Sequence, residues 1–131
     1  MIVYRVEMPV EDAEILNRVG FYSYHMSHKE GVETGFSEFQ RQFYNTHRHP
    51  EPKNDINQLI ATSGYHYVRF GFASLEQYSN WFHAERDKLR FYGFVLGVYK
   101  IRKNYVVIEE TQCAFLKDKA TWLKDMNTDE V

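Results

Sequence analysis

The sequence of 131 residues predicts one α+β domain with a mostly antiparallel sheet, one long helix and several shorter helices. Three observations lead to this prediction. The length suits a single domain of ordinary size. Strand-like segments lie at both ends of the chain, around a middle with helical periodicity. No glycine-rich phosphate loop follows a predicted strand, so Rossmann and P-loop folds are excluded.

The opening segment, residues 2–7, alternates as a strand does. Tyr4 falls on one face with its apolar neighbours, and Arg5 falls on the other face; Pro9 ends the strand. Residues 10–18 fit either a helix or a loop with one helical turn. An irregular stretch follows at residues 20–35, and a short helix is predicted at residues 36–44.

The middle of the chain contains an exposed, turn-rich loop at residues 47–55, followed by a strand at residues 65–72. The clearest helix covers residues 74–92. Ser74 is a suitable N-cap with Gln77 three residues later, and an apolar stripe continues until Gly93 offers a stop.

The C-terminal part contains two predicted strands at residues 94–101 and 105–108, joined by a hairpin turn at Lys103 and Asn104. Residues 111–116 add a further strand. A short helix is expected at residues 120–126, followed by polar residues, so that residues 117–131 form a short helix and a frayed tail. The whole chain, residues 1–131, is therefore read as one domain.

The composition narrows the function classes. Sixteen basic and eighteen acidic residues give a net charge of −2, which argues against nucleic acid as a partner. Cys113 is the only cysteine, and no membrane span or signal peptide is apparent, so we expect a cytoplasmic protein that does not bind membranes. Aromatic residues make up 17% of the chain, and some of these rings are expected to line a cleft or an interface.

Charged and aromatic residues indicate a candidate anion site. Arg5 and Arg69 lie within predicted strands, where each either holds an anion in a cleft or pairs with Glu7 or Glu109 on a solvated sheet face. Irregular backbone with rings and imidazoles suggests a site wall. The loop residues could bind an anion, or less favourably a metal. These wall and loop candidates are Tyr24, His25, His47, Arg48 and His49. No catalytic residue, metal or cofactor is predicted, and Cys113 is expected to be inert packing.

Several motifs together resemble a group of small uncharacterised proteins from tailed phages and prophages, over about residues 2 to 116. The residues that carry this resemblance are Tyr4-Arg5-Val6-Glu7, His49-Pro50-x-Pro52 with Asp55, Phe70-Gly71-Phe72-x-Ser74-x-x-Gln77 with Trp81-Phe82, Gly93-Phe94-x-x-x-x-Tyr99, and Gln112-x-x-Phe115. The resemblance implies a phage origin, and with it the cytoplasm of the host as the location.

The order of three features also resembles ADP-ribosyltransferase-like domains. Arg5 on a first strand, Ser74 at a strand end that leads into a helix, and Glu110 or Gln112 on a late strand follow that order. In such domains an Arg or His on the first strand holds the ribose or phosphate of NAD. A Ser or Tyr at the strand end supports the nicotinamide pocket, and a late Glu activates the ribose. Gln112 departs from that pattern.

These observations lead to one favoured function. We expect a phage accessory protein that binds a nucleotide-like or otherwise anionic small ligand in an aromatic cleft, to counter host defence or redirect host metabolism. The first alternative is an interaction module that binds a host protein or a second copy of itself. The second alternative is an active ADP-ribosyltransferase. The candidate ligand-binding residues are Arg5, Tyr24, His25, His47, Arg48, His49, Arg69, Ser74 and Gln112.

Overall fold

Two antiparallel sheets and three helices make up the described part of the chain, which is residues 1–9, 18–21, 49–82 and 84–130 of a computed structural model. The strands are β1 (Ile2–Met8), β2 (Val19–Gly20), β3 (Val68–Gly71), β4 (Val95–Lys100), β5 (Val106–Ile108), β6 (Cys113–Leu116) and β7 (Thr121–Asn127). The helices are α1 (Asn54–Ser63), α2 (Leu75–Trp81) and α3 (Arg86–Phe91), with 3₁₀ turns at Tyr65–Tyr67, Lys103–Tyr105 and Lys117–Lys119. The predicted α+β fold with antiparallel sheets is confirmed.

The strands divide between a four-stranded sheet and a three-stranded sheet. The first has the order β2-β1-β4-β7, and the second has the order β3-β6-β5. Tyr4 and Phe72 join the two sheets through a pair of backbone hydrogen bonds of 2.8 and 2.7 Å. Strand β1 therefore belongs to the first sheet and also touches the second.

Three apolar clusters show how these elements are layered. Helices α2 and α3 pack their rings on one face of the four-stranded sheet, against Val6 and Leu96. The opposite face meets the three-stranded sheet, where Val3 and Tyr99 contact Phe115. Helix α1 covers the outer face of the three-stranded sheet through Ile56. Both faces of β1 are thus buried.

The predicted long helix at residues 74–92 is wrong, because two shorter helices occupy that segment. Helix α2 ends at Trp81 and α3 begins at Arg86. Between them, the backbone N–H of Ala84 donates to the carboxylate of Glu85. Such local bonding between a side chain and the backbone competes with the helical hydrogen bonds and favours an interruption.

Two predictions for the C-terminal part are also wrong. Strands β4 and β5 do not form a hairpin, since they lie in different sheets and a 3₁₀ turn at Lys103–Tyr105 separates them. The predicted helix at residues 120–126 is strand β7, which pairs with β4 from Val95↔Asn127 to Lys100↔Thr121. Tertiary pairing therefore overrides the helical spacing of the apolar residues there.

The other predicted segments are shorter than expected or lie outside the described residues. The predicted strand at residues 65–72 begins with a 3₁₀ turn, so that the strand itself covers only Val68–Gly71. The predicted helix at 36–44, most of the 10–18 segment and most of the irregular stretch at 20–35 lie outside the described residues. Within the described ranges, no helix has the length and apolar character that crossing a membrane requires.

Candidate functional site

A small pocket opens between the two sheets and is lined mainly by charged and aromatic side chains. Its enclosed volume is about 10 Å³, which is roughly the space for one water molecule. The structure brings two of the predicted site residues, Arg5 and Arg69, together in this lining. The described residues that line the pocket are Arg5, Glu7, Arg69, Tyr99, Phe115, Lys117 and Ala120.

Strand pairing explains why these side chains converge. Arg5 and Glu7 lie two residues apart on β1, so they share the face that meets the other sheet. Arg69 lies on β3 opposite Phe115 of β6, which belongs to the core between the sheets. The 3₁₀ turn that follows β6 then supplies Lys117.

Glu7 is the centre of a buried hydrogen-bond network, with only 1% of its surface exposed. Its carboxylate accepts from Arg5 Nη1 at 2.9 Å, from Arg18 Nη1 at 3.2 Å and from the Tyr99 hydroxyl at 2.5 Å. Three donors therefore share the one carboxylate in the pocket lining. The Arg5–Glu7 ion pair considered from the sequence does form, although it is buried rather than on a solvated face.

Arg18 links this network to the edge of the four-stranded sheet. Its guanidinium donates to both carboxylate oxygens of Asp125, at 2.7 and 3.1 Å. Burial opposes the charge on Arg18, but the hydrogen bonds to Asp125 and Glu7 outweigh it and raise its pKa. The Trp122 indole also donates to Asp125, at 2.9 Å. The positive charge of Arg18 and the negative charge of Asp125 thus neutralise one another beside the pocket.

Two glycines make room for the network. A β-carbon at Gly97, which lies opposite Arg5 in the sheet, would collide with the Glu7 carboxylate. A β-carbon at Gly20 would stand 2.6 Å from Nη2 of Arg5. Neither position has space for a side chain while the charged groups keep their places.

Among the described residues, the pocket lining carries an excess of positive charge, with three cations and one carboxylate. Arg69 Nη1 donates to the backbone carbonyls of His66 and Val68, at 3.0 and 3.1 Å. The Lys117 ammonium lies 5.7 Å from the centre of the Tyr67 ring, in a cation–π contact. Among the described residues Lys117 has no ion pair, although it is buried.

The electrostatics of the pocket reflect this excess. Burial lowers the pKa of Arg69, the nearby charge of Arg5 lowers it further, and Tyr65 acts in the opposite direction. The Nε of Arg5 is buried and has no hydrogen-bond acceptor in the described part of the chain. Burial, together with the charge and hydrogen bond of Glu7, raises the pKa of Tyr99, so this phenol stays protonated.

Ser74 and Gln112 have structural roles away from this pocket. The Ser74 hydroxyl accepts from the Gln77 backbone at 3.1 Å and caps α2, as predicted. The Gln77 side chain in turn accepts from the Ala73 backbone at 2.8 Å. Gln112 is buried, and its amide donates to the carbonyl of Pro50 at 3.2 Å. Neither Ser74 nor Gln112 contributes to the pocket lining.

His49 does not lie in an exposed loop, and that prediction is wrong for this residue. It is 3% exposed and stacks on Trp81, with ring centres 4.7 Å apart. Its Nε2–H donates to the carbonyl of Trp81. The rings of Trp81 and Phe82 offer an apolar site that an imidazole can fill, which explains the burial. The other predicted candidates, Tyr24, His25, His47 and Arg48, lie outside the described residues.

The described residues offer neither a metal site nor a reactive thiol. No cluster of three or more His, Cys, Asp or Glu side chains suited to a metal exists within the described ranges. Cys113 is buried in the core between the sheets, where burial raises the pKa of its thiol to about 12. A protonated, enclosed thiol is not a nucleophile.

Sequence reasoning did not find all of the residues that build the pocket. Lys117, Tyr99 and Arg18 were not predicted, and Glu7 was considered only as an ion-pair partner. The Arg5-x-Glu7 spacing, which places two opposite charges on one strand face, was the signal that could have indicated a buried network. No signal in the sequence placed Lys117 beside Arg69.

Comparisons with known proteins give one result about the family. The family model described as Bacteriophage T4 Y00F protein matches residues 1–129. Searches of the curated proteins and of the solved structures found no match. The match supports the resemblance to small phage proteins, and nothing in the comparisons supports the resemblance to ADP-ribosyltransferases.

Proposed function

The chain belongs to the bacteriophage T4 Y00F protein family, and we propose that it is an accessory protein that binds a small anionic ligand between its two sheets. One observation carries this proposal. Arg5, Arg69 and Lys117 line one pocket, and Glu7, the one carboxylate that the described residues contribute to its lining, already accepts three hydrogen bonds. A bound anion would give Lys117, which forms no ion pair among the described residues, a counter-charge.

The energetics of buried cations support this proposal. Burial lowers the pKa of Arg69, and the like charge of Arg5 lowers it further, because a cation out of water beside another cation is unfavourable. An anion at this position would relieve the repulsion between Arg5 and Arg69. It would also give the buried Nε of Arg5 an acceptor. Guanidinium groups bind phosphate and carboxylate through two parallel hydrogen bonds, so either anion suits the site.

The size of the pocket limits what can enter. A cavity of about 10 Å³ has room for about one water molecule, so a single oxygen of a phosphate or carboxylate would enter it and the rest of the ligand would lie outside. The protein would therefore hold its ligand by one terminal anionic group. Such binding, in the host cytoplasm, would sequester or sense a metabolite, which fits a phage protein that counters host defence or redirects host metabolism.

Inorganic phosphate is the first probe for this proposal. A ligand that binds only the native state raises Tm in proportion to ln(1 + [L]/Kd). We expect phosphate at millimolar concentration to raise Tm by more than sodium chloride of equal ionic strength does. Lys117→Gln should remove most of that increase. Lys119→Gln is the matched control, because this lysine is exposed on the same turn and lies over Tyr105 instead.

Two outcomes would contradict the proposal. One is a phosphate effect no larger than that of chloride. The other is an equal loss in the Lys117→Gln and Lys119→Gln proteins, since that would indicate screening of general surface charge rather than a site.

A second candidate function is self-association or binding of a host protein through β7. This strand hydrogen-bonds only to β4 among the described strands, and it exposes Trp122 and Leu123. An edge strand with exposed apolar residues can pair with another chain. Light scattering coupled to size exclusion chromatography would test self-association. A parent protein that is monomeric at about 100 μM, with the same molar mass as the Leu123→Lys protein, would exclude it.

A further inference from the structure

Four exposed cations lie close together at one end of the four-stranded sheet. Lys100 is the last residue of β4, and it pairs with Thr121, the first residue of β7. Arg102 and Lys103 follow directly beyond β4, and Lys119 lies two residues before Thr121. All four basic residues are exposed to solvent. We call Lys100, Arg102, Lys103 and Lys119 the basic end.

The described residues around the basic end do not neutralise its charge. None of its four members forms an ion pair with another described residue. The turns at Lys103–Tyr105 and Lys117–Lys119 contribute one acidic residue, Asp118. Glu109 and Glu110 lie at the opposite end of β6, where the carboxylate of Glu109 accepts backbone N–H groups from the start of α1. The net charge of −2 therefore does not describe the local charge at the basic end.

Tyrosine rings stand next to the basic end. The Lys119 ammonium lies 5.3 Å from the centre of the Tyr105 ring. On the same 3₁₀ turn, the Lys117 ammonium lies over the ring of Tyr67, which is 49% exposed. Tyr65 belongs to the same turn as Tyr67 and is 71% exposed. Lysines and tyrosines therefore alternate across this surface, and two of the rings are open to solvent.

We infer that this surface binds single-stranded nucleic acid, with phosphates at the basic end and unpaired bases stacked on the exposed tyrosines. Cations without ion-pair partners neutralise phosphates and release the counterions that surround a nucleic acid strand. Tyrosine rings stack on unpaired bases of any sequence. A duplex keeps its bases stacked inside and would leave these rings unused. An acidic protein surface would engage the cations, but it has no nucleobases for the rings.

The salt dependence of binding tests the role of the basic end. Fluorescence anisotropy measures the affinity for labelled oligothymidylate and oligouridylate of about 12 nucleotides. If four cations contact phosphates, the logarithm of the association constant should fall with the logarithm of salt concentration with a slope of about −3. The double substitution Arg102→Gln, Lys103→Gln should reduce this slope to about −1.5. The matched control is Lys53→Gln, Lys88→Gln, which removes two exposed charges at α1 and α3 and should leave the slope unchanged.

Substitutions of Tyr67 test the stacking of bases. Tyr67→Ala should weaken the binding of oligothymidylate about tenfold, whereas Tyr67→Phe should bind as the parent does because it keeps the ring. Neither change should alter the salt slope. Phe91→Ala is the control for loss of an exposed ring, since Phe91 is 65% exposed on α3, and it should not affect binding. Circular dichroism verifies that each variant keeps the fold.

Competitors separate single strands from other polyanions. Unlabelled oligothymidylate should displace the labelled strand at concentrations at least about tenfold lower than a duplex of the same length or polyglutamate of equal charge. Equal competition by the duplex would overturn the inference. Equal competition by polyglutamate would also overturn it and would indicate an acidic protein as the partner.

Three further results would contradict the inference: no binding of either oligonucleotide, an equal change of slope in the two double variants, or parental affinity in Tyr67→Ala. The inference goes beyond the proposed anion site and does not depend on it. The substituted residues lie outside the described lining of the pocket, so these experiments and the phosphate experiment can fail independently.

Discussion

The two faces of β1 are both buried, yet they are built from opposite chemistry. On the helix side, Tyr4 and Val6 join a cluster of rings from α2 and the loops around it. On the other side, Arg5 and Glu7 enter a network of charged groups between the sheets. Regular alternation in a strand therefore does not indicate which face meets water. Here it separates an apolar face from a charged one.

The two faces also differ in how their interactions depend on geometry. Contacts between rings on the helix side are numerous and weakly directional, such as the pair Tyr78 and Phe82 with centres 6.1 Å apart. The contacts on the pocket side are few and directional, and each donor of the network depends on Glu7. We therefore expect changes on the helix side to affect stability alone, and changes on the pocket side to affect stability and anion binding together.

The largest expected effect is on the helix side, for Phe82→Ala. Phe82 is buried and contacts Phe21, Phe72, Tyr78 and the His49 ring. Removing its ring leaves a cavity, which should lower the free energy of unfolding by about 3–5 kcal/mol in urea denaturation. The affinity for phosphate should not change under conditions where the variant is folded. A loss of phosphate binding in the folded variant would break the distinction between the two faces.

Glu7→Gln should produce a smaller loss of stability and a change in binding. The amide keeps the volume but removes the charge that Arg5 and Arg18 share, and it leaves their donors with a poorer acceptor. We expect the free energy of unfolding to fall by about 1–3 kcal/mol. Affinity for phosphate should rise, because a carboxylate no longer competes for Arg5. Weaker phosphate binding in this variant would show that Glu7 positions the site rather than opposing the anion.

Ser74→Ala tests a site residue that the structure assigns to a helix cap. Loss of the hydrogen bond to the Gln77 backbone should cost about 1 kcal/mol, whereas Ser74→Asp should retain the cap and the stability. Both variants should bind phosphate as the parent does. If Ser74→Asp were fully stable and yet failed to bind phosphate, Ser74 would belong to the ligand site after all.

The parts of the fold that could be predicted are those in which local pattern and tertiary structure agree. Residues 2–7 alternate clearly and form β1, and Ser74 caps a helix as its spacing with Gln77 predicts. Residues 120–126 fit two patterns, since apolar residues at helical spacing occur together with the strand-forming Thr121 and Trp122. Pairing with β4 decides between them, and such long-range pairing is not written in the local sequence.

The candidate site shows the same limit. Arg5 and Arg69 could be named because a charge within a strand is unusual, and both line the pocket. Lys117 follows β6, and only the pairing of β6 with β3 brings it near Arg69. Prolines and charges surround His49 in the sequence and predict exposure, whereas its burial depends on Trp81, 32 residues away. Contacts between distant segments decided each of these cases.

The last prediction concerns Cys113. The rate at which its thiol is alkylated measures how readily the core between the two sheets opens. Its thiol is buried and has a pKa of about 12, so at pH 8 roughly one molecule in ten thousand carries the thiolate. Because this pKa is raised in the folded state, the contribution to stability is complete below the ordinary thiol pKa and declines only as the pH rises toward 12. Iodoacetamide at pH 8 should therefore modify native protein at least about a hundredfold more slowly than protein unfolded in urea. Cys113 is the only cysteine, so mass spectrometry of the intact chain measures this site alone. Rapid alkylation without loss of the fold would mean that the two sheets separate readily, and the pocket between them would then not be a fixed site.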